Sequence, residues 1–366
     1  MFGNVFNSDA FGAIAITKAL NLMEPVSTEM DRWFEWEPDY STLPDVAVDV
    51  EKGRLYVLAS VADDAPLPIA KKGQRGVYKI EIPRFGERET LLNRSLLGVR
   101  ETGSREVKQI EAERDKRLRM IRNRVQHTKG WLQAKALDGK VYDGDGVLLA
   151  DFHTKQDRGQ IVIEIDLTTG PDVNDEFVLV KEICERVLSE SNFGVTGYKL
   201  VCGRRAHQFL RTNDSVKEAM TDPLNNKFLR SDNRDGFLMA DNVNVVNMTR
   251  THAGVGFIDE GIDPQYGTAY LVPEAMGFAN IVYGPSGVDD FLGNPLEFYG
   301  GSEPRKQKDG VELWGDSFMI PYFAIARGVI KLVIKGTPRV NDQLAAILAE
   351  EVLAEAAIDA GDEVPA

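Results

Sequence analysis

Hydrophobic and polar residues alternate most regularly between 45 and 61. Val46, Val48 and Val50 run into Glu51, Lys52, Gly53 and Arg54, and Leu55, Val57, Ala59 and Val61 follow. A period of two puts these apolar groups on one face, so a hairpin is expected. Another strand is expected at 77–82. Between them, 62–76 carries Pro66, Pro68, Lys71, Lys72, Gly73, Arg75 and Gly76. A long, polar, basic loop held on two strands predicts a β-arm that projects from the body.

The period changes to 3.6 at 104–136. Val107, Ile110, Leu118, Ile121, Val125 and Leu132 form one stripe, and Arg114 and Thr128 occupy its two missing rungs. Ser104 is placed to cap this helix, and Gly139 suits its end. Glu113 with Arg117 and Asp115 with Arg119 are spaced for i, i+4 pairing. Two short apolar runs then flank Asp143, Gly144, Asp145 and Gly146, a tight-hairpin pattern.

From 161 to 335 strand and helix signals alternate. Strands are expected at 161–167, 198–202, 243–248, 269–272 and 279–283, with helices at 175–188 and near His207 and Val216. A closing strand places Ile330, Leu332 and Ile334 on one face. The result is an α+β body. Beyond Gly336, Leu344, Ile347, Leu348 and Val352 or Leu353 recur at helical spacing among Ala and Glu, predicting an acidic amphipathic helix docked on a partner or on the body.

Residues 1–44 show little periodicity but many large apolar groups, including Trp33, Phe34, Trp36 and Tyr40. They read either as an arm packed on another molecule or as a first layer of the chain's own core. The apolar run from Ala10 to Ile16 follows Asp9 and stops at Lys18, without the flanks of a signal peptide. No stretch approaches a membrane span. Two cysteines among 366 residues are too few for a disulfide-stapled secreted scaffold and point to a reducing compartment.

Charge changes the picture. The chain has 43 Lys and Arg against 57 Asp and Glu, net −14, which excludes a protein whose whole surface grips nucleic acid. The 104–136 helix runs the other way, with ten cations and four acids, so the remainder stands at −20. Such a run is either a solvated face or a cationic stripe for a polyanion or acidic partner.

Candidate chemistry is sparse. His127, His153, His207 and His252 have no zinc-type spacing, and neither Cys184 nor Cys202 lies in a CxxC pair. Asp143 and Asp145 supply only a fragment of a calcium loop. Gly284, Pro285 and Ser286 begin a nucleophile-elbow pattern, but Val288 stands where its glycine belongs, so a surface loop is expected. Gly254 and Gly256 lack the rest of a nucleotide-binding fingerprint. No catalytic, cofactor-binding or metal-binding set is expected.

The order of arm, extended loop, long helix, hairpin, α+β domain and returning strand resembles the major capsid proteins of tailed bacteriophages. Residues 136–151 are similar to a turn of the lambda-like major capsid protein E family. Residues 314–334, with Ser317, Pro321 and Phe323 to Ala326, resemble that family's C-terminus, and 17–25 resembles its pattern after the arm. The resemblance implies the Hong Kong 97-like fold. It assigns 1–44 to an N-terminal arm, 45–92 to an extended loop lying over a neighbouring subunit, and 93–170 to a peripheral domain with its spine helix. It assigns 171–315 to an axial domain and 316–336 to a returning strand, leaving 337–366 as a tail.

The resemblance further implies a non-enzymatic subunit of hexamers and pentamers in a virion head, assembled in the bacterial host cytoplasm around double-stranded DNA. A separate scaffolding protein, a portal and a decoration protein are the expected partners, with no membrane and no sequence-specific DNA contact. Trp33, Phe34, Trp36, Lys71, Lys72 and Arg75 are candidate inter-subunit contacts. Arg114, Arg117, Arg122 and Arg124 are candidate lumen-facing groups of the basic helix, where they would hold scaffold during assembly or sit near DNA. Competing readings are an encapsulin-like shell, a hydrolase using Ser286, Asp289 or Asp290, and a tail or connector subunit.

Overall fold

The structure, a computed structural model, describes residues 11–23, 27–52, 74–92, 106–156, 158–168, 173–189, 193–221, 236–239, 243–252, 255–305 and 310–336. In chain order the first elements are α1 (Ala13–Leu22), α2 (Glu29–Trp33), β1 (Glu37–Tyr40), β2 (Asp45–Lys52), β3 (Gln74–Glu81), β4 (Arg84–Leu92) and α3 (Glu106–Ala136). Next come β5 (Lys140–Tyr142), β6 (Leu148–Asp151), α4 (Phe152–Lys155), β7 (Val162–Asp166), α5 (Val173–Leu188), β8 (Val195–Cys202), α6 (Arg204–Thr212) and α7 (Asp214–Thr221). The chain continues with β9 (Gly236–Leu238), β10 (Val243–Asn247), β11 (Thr251–His252), β12 (Val255–Gly256), β13 (Tyr266–Ala275) and β14 (Ala279–Tyr283). It closes with β15 (Tyr299–Pro304), β16 (Gly310–Phe323) and β17 (Ile330–Lys335).

Two sheets organise these elements. In the first, β16 is the pivot: Met319–Phe323 pairs with β14, which holds β1, while the rest of β16 pairs with β15 and β4. The helix α3 crosses this sheet with the expected stripe inward, burying Leu118, Ile121, Val125 and Leu132. A Cβ on Gly315 would lie 3.0 Å from Ile121 Cγ2, so the glycine permits this close approach. The other end of α3 is closed by Gly139 at φ +65°, whose N–H donates to Ala136 O.

The second sheet has the order β7, β17, β13, β8, β10, β9. Ile330, Leu332 and Ile334 share a buried face of β17, as their alternation predicts. That face meets the helical layer, since Gly267 on β13 lies against Ala206 of α6 and Gly336 against Phe209. On the opposite face, Tyr270 Oη donates to Asp138 Oδ1 at 2.6 Å and Lys331 Nζ does so at 2.8 Å, tying the sheet to the end of α3.

Residues 11–40 are layered on the chain's own core. Ile16, Leu20 and Met30 are buried. Thr17 Oγ1 donates to Gly300 O and accepts from Gly300 N, satisfying a polar pair along β15. The elements α1, α2, β1, β4 and β15 had no clear periodicity in the sequence, because each is short or alternates polar groups with glycines.

The expected hairpin at 140–151 forms as β5 and β6, with Asp143 Oδ1 accepting from the N–H groups of Asp145 and Val147. In place of the turn expected at 51–54, β2 runs on through Lys52 and pairs with β3 in an eight-pair ladder, from Asp45 opposite Glu81 to Lys52 opposite Gln74. The strand expected at 55–61, the loop with Lys71 and Lys72, Ser104 and the tail helix all lie outside the described residues.

Replacing Gly315 by Val should lower stability by about 1–3 kcal/mol through overpacking against Ile121. Urea unfolding checks this, with a lower midpoint at unchanged slope as the expected result.

Candidate functional site

The side chains singled out from the sequence fall into two groups, and both are held largely by their own chain. Phe34 is buried, and Trp33 and Trp36 pack against the same core. The rings of Phe34 and Trp36 lie 6.4 and 5.3 Å from that of Phe323 on β16. Lys199 Nζ sits 5.4 Å from the Phe34 ring centroid, donates to Trp33 O and pairs with Glu274. Phe34 therefore serves the core, correcting the expectation of an inter-subunit contact. Of the basic loop residues, only Arg75 is placed, opposite Glu51 in the ladder.

The four arginines of α3 also have partners within the chain. Arg114 donates to Asp115 and lies 5.3 Å from the Phe11 ring centroid. Asp115 thus pairs with its neighbour in sequence, in place of the expected pairing with Arg119. Arg117 pairs with Glu113 at 3.2 Å, as its spacing predicts, and also with Glu89 at 3.3 Å. Arg124 pairs with Glu87 at 2.6 Å and Glu89 at 3.0 Å on β4.

Arg122 is buried, lies 5.0 Å from the Phe298 ring centroid and donates to Met23 O. Burial pulls this guanidinium down from its ordinary value, with Glu297 opposing. A buried group is not a lumen-facing one, so Arg122 leaves the proposed stripe. Part of the cationic excess on α3 is met by acids brought from β4 and, through Lys129 and Asp31, from α2. Sequence composition counts the helix alone and cannot see that pairing.

One charged pair escaped the sequence reading. Asp316, in the middle of β16, has a side chain only 3% exposed, and its Oδ2 accepts from Arg84 Nε at 2.7 Å. Burial raises its pKa above the ordinary carboxylate value, and Arg84 opposes the rise. Its Oδ1 has no partner among the described residues. Together with Arg84, Gly86, Arg88 and Trp314, it lines an open recess of about 320 Å³ on the sheet face turned away from α3. The signal available in sequence was a lone acid inside an apolar run.

The remaining chemical candidates resolve into structural parts. Ser286 is buried, contrary to the expected surface loop, and its Oγ accepts from Val288 N at 3.2 Å. His127 and His252, 125 positions apart, come together with ring centroids 6.1 Å apart beside Trp131 and Phe257. Burial, then Arg250 and His252, lower the pKa of His127. His153 contacts Asp138 O through Nε2 at 3.1 Å. The Cys184 thiol is pushed up to about 12 by burial, which suits packing and not nucleophilic attack. Among the described residues, no group of three or more His, Cys, Asp or Glu is arranged to hold a metal. No described helix is long and apolar enough to cross a membrane.

A helix-backed sheet pivoting on one long strand, a second sheet beneath a helical layer and the ladder of β2 and β3 make up a Hong Kong 97-like α+β fold. Residues 13–334 match the family described as phage major capsid protein E, and the chain belongs to that family. Among solved structures it is similar to the capsid of Ralstonia phage GP4, 13% identical over 84% of this chain and 87% of that one, with a TM-score of 0.50. It is also similar to Gordonia phage Cozz, 11% identical over 86% and 88% of the two chains, TM-score 0.48. Nothing among curated proteins matches it in sequence.

Arg84→Ala should destabilise the chain by about 2 kcal/mol, less than for a fully buried pair because Arg84 is itself exposed to screening solvent. Thermal unfolding at neutral pH reads this loss. The raised pKa of Asp316 makes its contribution greatest below the unfolded carboxylate value and lost as pH rises through the folded one. Asp316→Asn should therefore gain relative to wild type as pH rises across that window, in denaturant titrations at successive pH values.

Proposed function

We propose that copies of this chain assemble as hexamers and pentamers into a closed icosahedral shell that encloses double-stranded DNA in a phage head. The observation that carries the reading is the family match over residues 13–334. The ladder of β2 and β3 accords with it: two paired strands on either side of a 21-residue stretch that carries Lys71 and Lys72 suit a contact with a neighbouring subunit. In this reading the loop between the ladder strands, with Lys71 and Lys72, reaches over that neighbour. In this reading the α3 sheet marks a peripheral domain and the helix-covered sheet an axial one, so β14 and β15, expected in the axial stretch 171–315, go with the peripheral sheet, and β7 and β17, expected in the peripheral stretches 93–170 and 316–336, go with the axial sheet.

The charge balance accords with a container. A subunit at net −14 repels packed DNA over most of its surface, so the genome is enclosed without being gripped. In this reading Arg114, Arg117, Arg122 and Arg124 of the helix also have partners within the chain. A separate scaffolding protein, a portal and a decoration protein complete the proposed assembly, formed in the bacterial cytoplasm.

Expressed alone and with a co-encoded scaffold, the chain should give closed shells or free pentamers and hexamers in negative-stain electron microscopy and size exclusion. Particles from the native source should contain density for DNA. A monodisperse monomer or dimer under every condition would overturn the shell reading, and protein cargo in place of DNA would point to an encapsulin-like compartment.

A further inference from the structure

His127 and Trp131, one turn apart on α3, meet His252 of β11 and Phe257 just after β12. The His127 ring centroid lies 5.2 Å from that of Phe257 and 6.1 Å from that of His252. Trp131 lies 5.5 and 5.4 Å from the same two rings. A Cβ on Gly130 would lie 3.5 Å from Phe257 Cε2, so the glycine lets the hairpin seat closely on the helix. Phe257 is buried and His252 is exposed. The four rings therefore form a wedge that is dry at its base and open to protons at its rim.

The hairpin itself is short. β11 and β12 pair at two positions, and Phe257 N–H donates to Arg250 O at 3.0 Å. On the side of α2, Glu29 accepts from the N–H groups of Thr249 and Arg250. The ring wedge is the contact that ties this hairpin to α3.

The charges around the wedge are mostly cationic. From the hairpin, Arg250 and His252 both act on His127, whose pKa is lowered first by burial and then by these two groups. On α3, Lys135 Nζ lies 4.3 Å from the Trp131 ring centroid, while Arg124 is paired with Glu87 and Glu89, and Lys129 with Asp31 of α2. Gly144, in the turn between β5 and β6, approaches His252. In that turn Asp143 accepts from the N–H groups of Asp145 and Val147, and Asp145 is exposed. Beyond β12, Asp259 accepts from Gly261 N–H. Among the described residues no carboxylate forms an ion pair with either imidazole.

We propose that the contact of His127 with His252 is an acid-sensitive latch: protonation of both imidazoles sets them and Arg250 against one another across the wedge, and the β11 and β12 hairpin lifts from α3. Packing against Trp131 and Phe257 makes the charged pair costlier than it would be in open water. A histidine whose folded pKa lies below its ordinary value contributes above that value and loses the contribution as pH falls toward the folded one. The latch lies within one subunit and does not depend on the shell reading.

Hydrogen exchange of the full chain, read by mass spectrometry at about pH 7.5 and about pH 5.5 and corrected for the intrinsic chemical rate, tests the latch. Peptides covering 249–258 should exchange on the order of tenfold faster at the acid pH, while peptides of β17 keep their protection. In His127→Phe, which keeps a ring in the wedge, and separately in His252→Gln, the acid gain should fall below about twofold. His252 is exposed, so its variant has little packing to lose and keeps the test decisive if position 127 proves necessary for folding. An equal gain in the wild type and the variants would assign the titration to another group and overturn the latch. Unchanged exchange at 249–258 in the wild type would overturn it too, as would simultaneous loss of protection in β17, which marks unfolding of the whole chain.

Discussion

The close seating of α3 on β16 is the contact on which the rest of the fold depends. Ile121 reaches Gly315, and Leu118 and Val125 continue the same buried row. Because β16 carries β14, β15 and β4 on its edges, fixing the helix against it also fixes where β1 and α1 can pack. Close-packed interiors transmit such constraints, since a strand cannot shift without losing contacts on both sides.

The polar half of the helix makes the same attachment by different means. Arg117 and Arg124 reach Glu89 and Glu87, which point inward from β4, while Arg84 and Arg88 of the same strand lie on the opposite face. Strand alternation thus sorts the charges of β4 by sign: acids toward the helix, bases toward the recess around Asp316. Partly buried pairs of this kind align the helix on the sheet even where their net contribution to stability is small.

For a shell subunit this arrangement separates building from assembling. The charged helix and the aromatic segment around Phe34, both prominent in the sequence, are held by contacts within the chain itself. In a capsid protein of this family, the most conspicuous groups of the sequence thus go to building the subunit itself.

Local patterning determined much of the protein by itself. The period of α3, the alternation of β17, the Asp and Gly turn between β5 and β6, and the alternating strands and helices after 161 were all legible, because each is set by side chains close together in the chain. The family was legible too, through the order of those elements and the blocks at 136–151 and 314–334. Tertiary structure alone decided the pairing of Arg117 with Glu89, the partners of Arg122 and Arg124, the burial of Phe34 and Ser286, and the meeting of His127 with His252. Each of these depends on groups separated widely in sequence, and neither periodicity nor composition carries the distance between them.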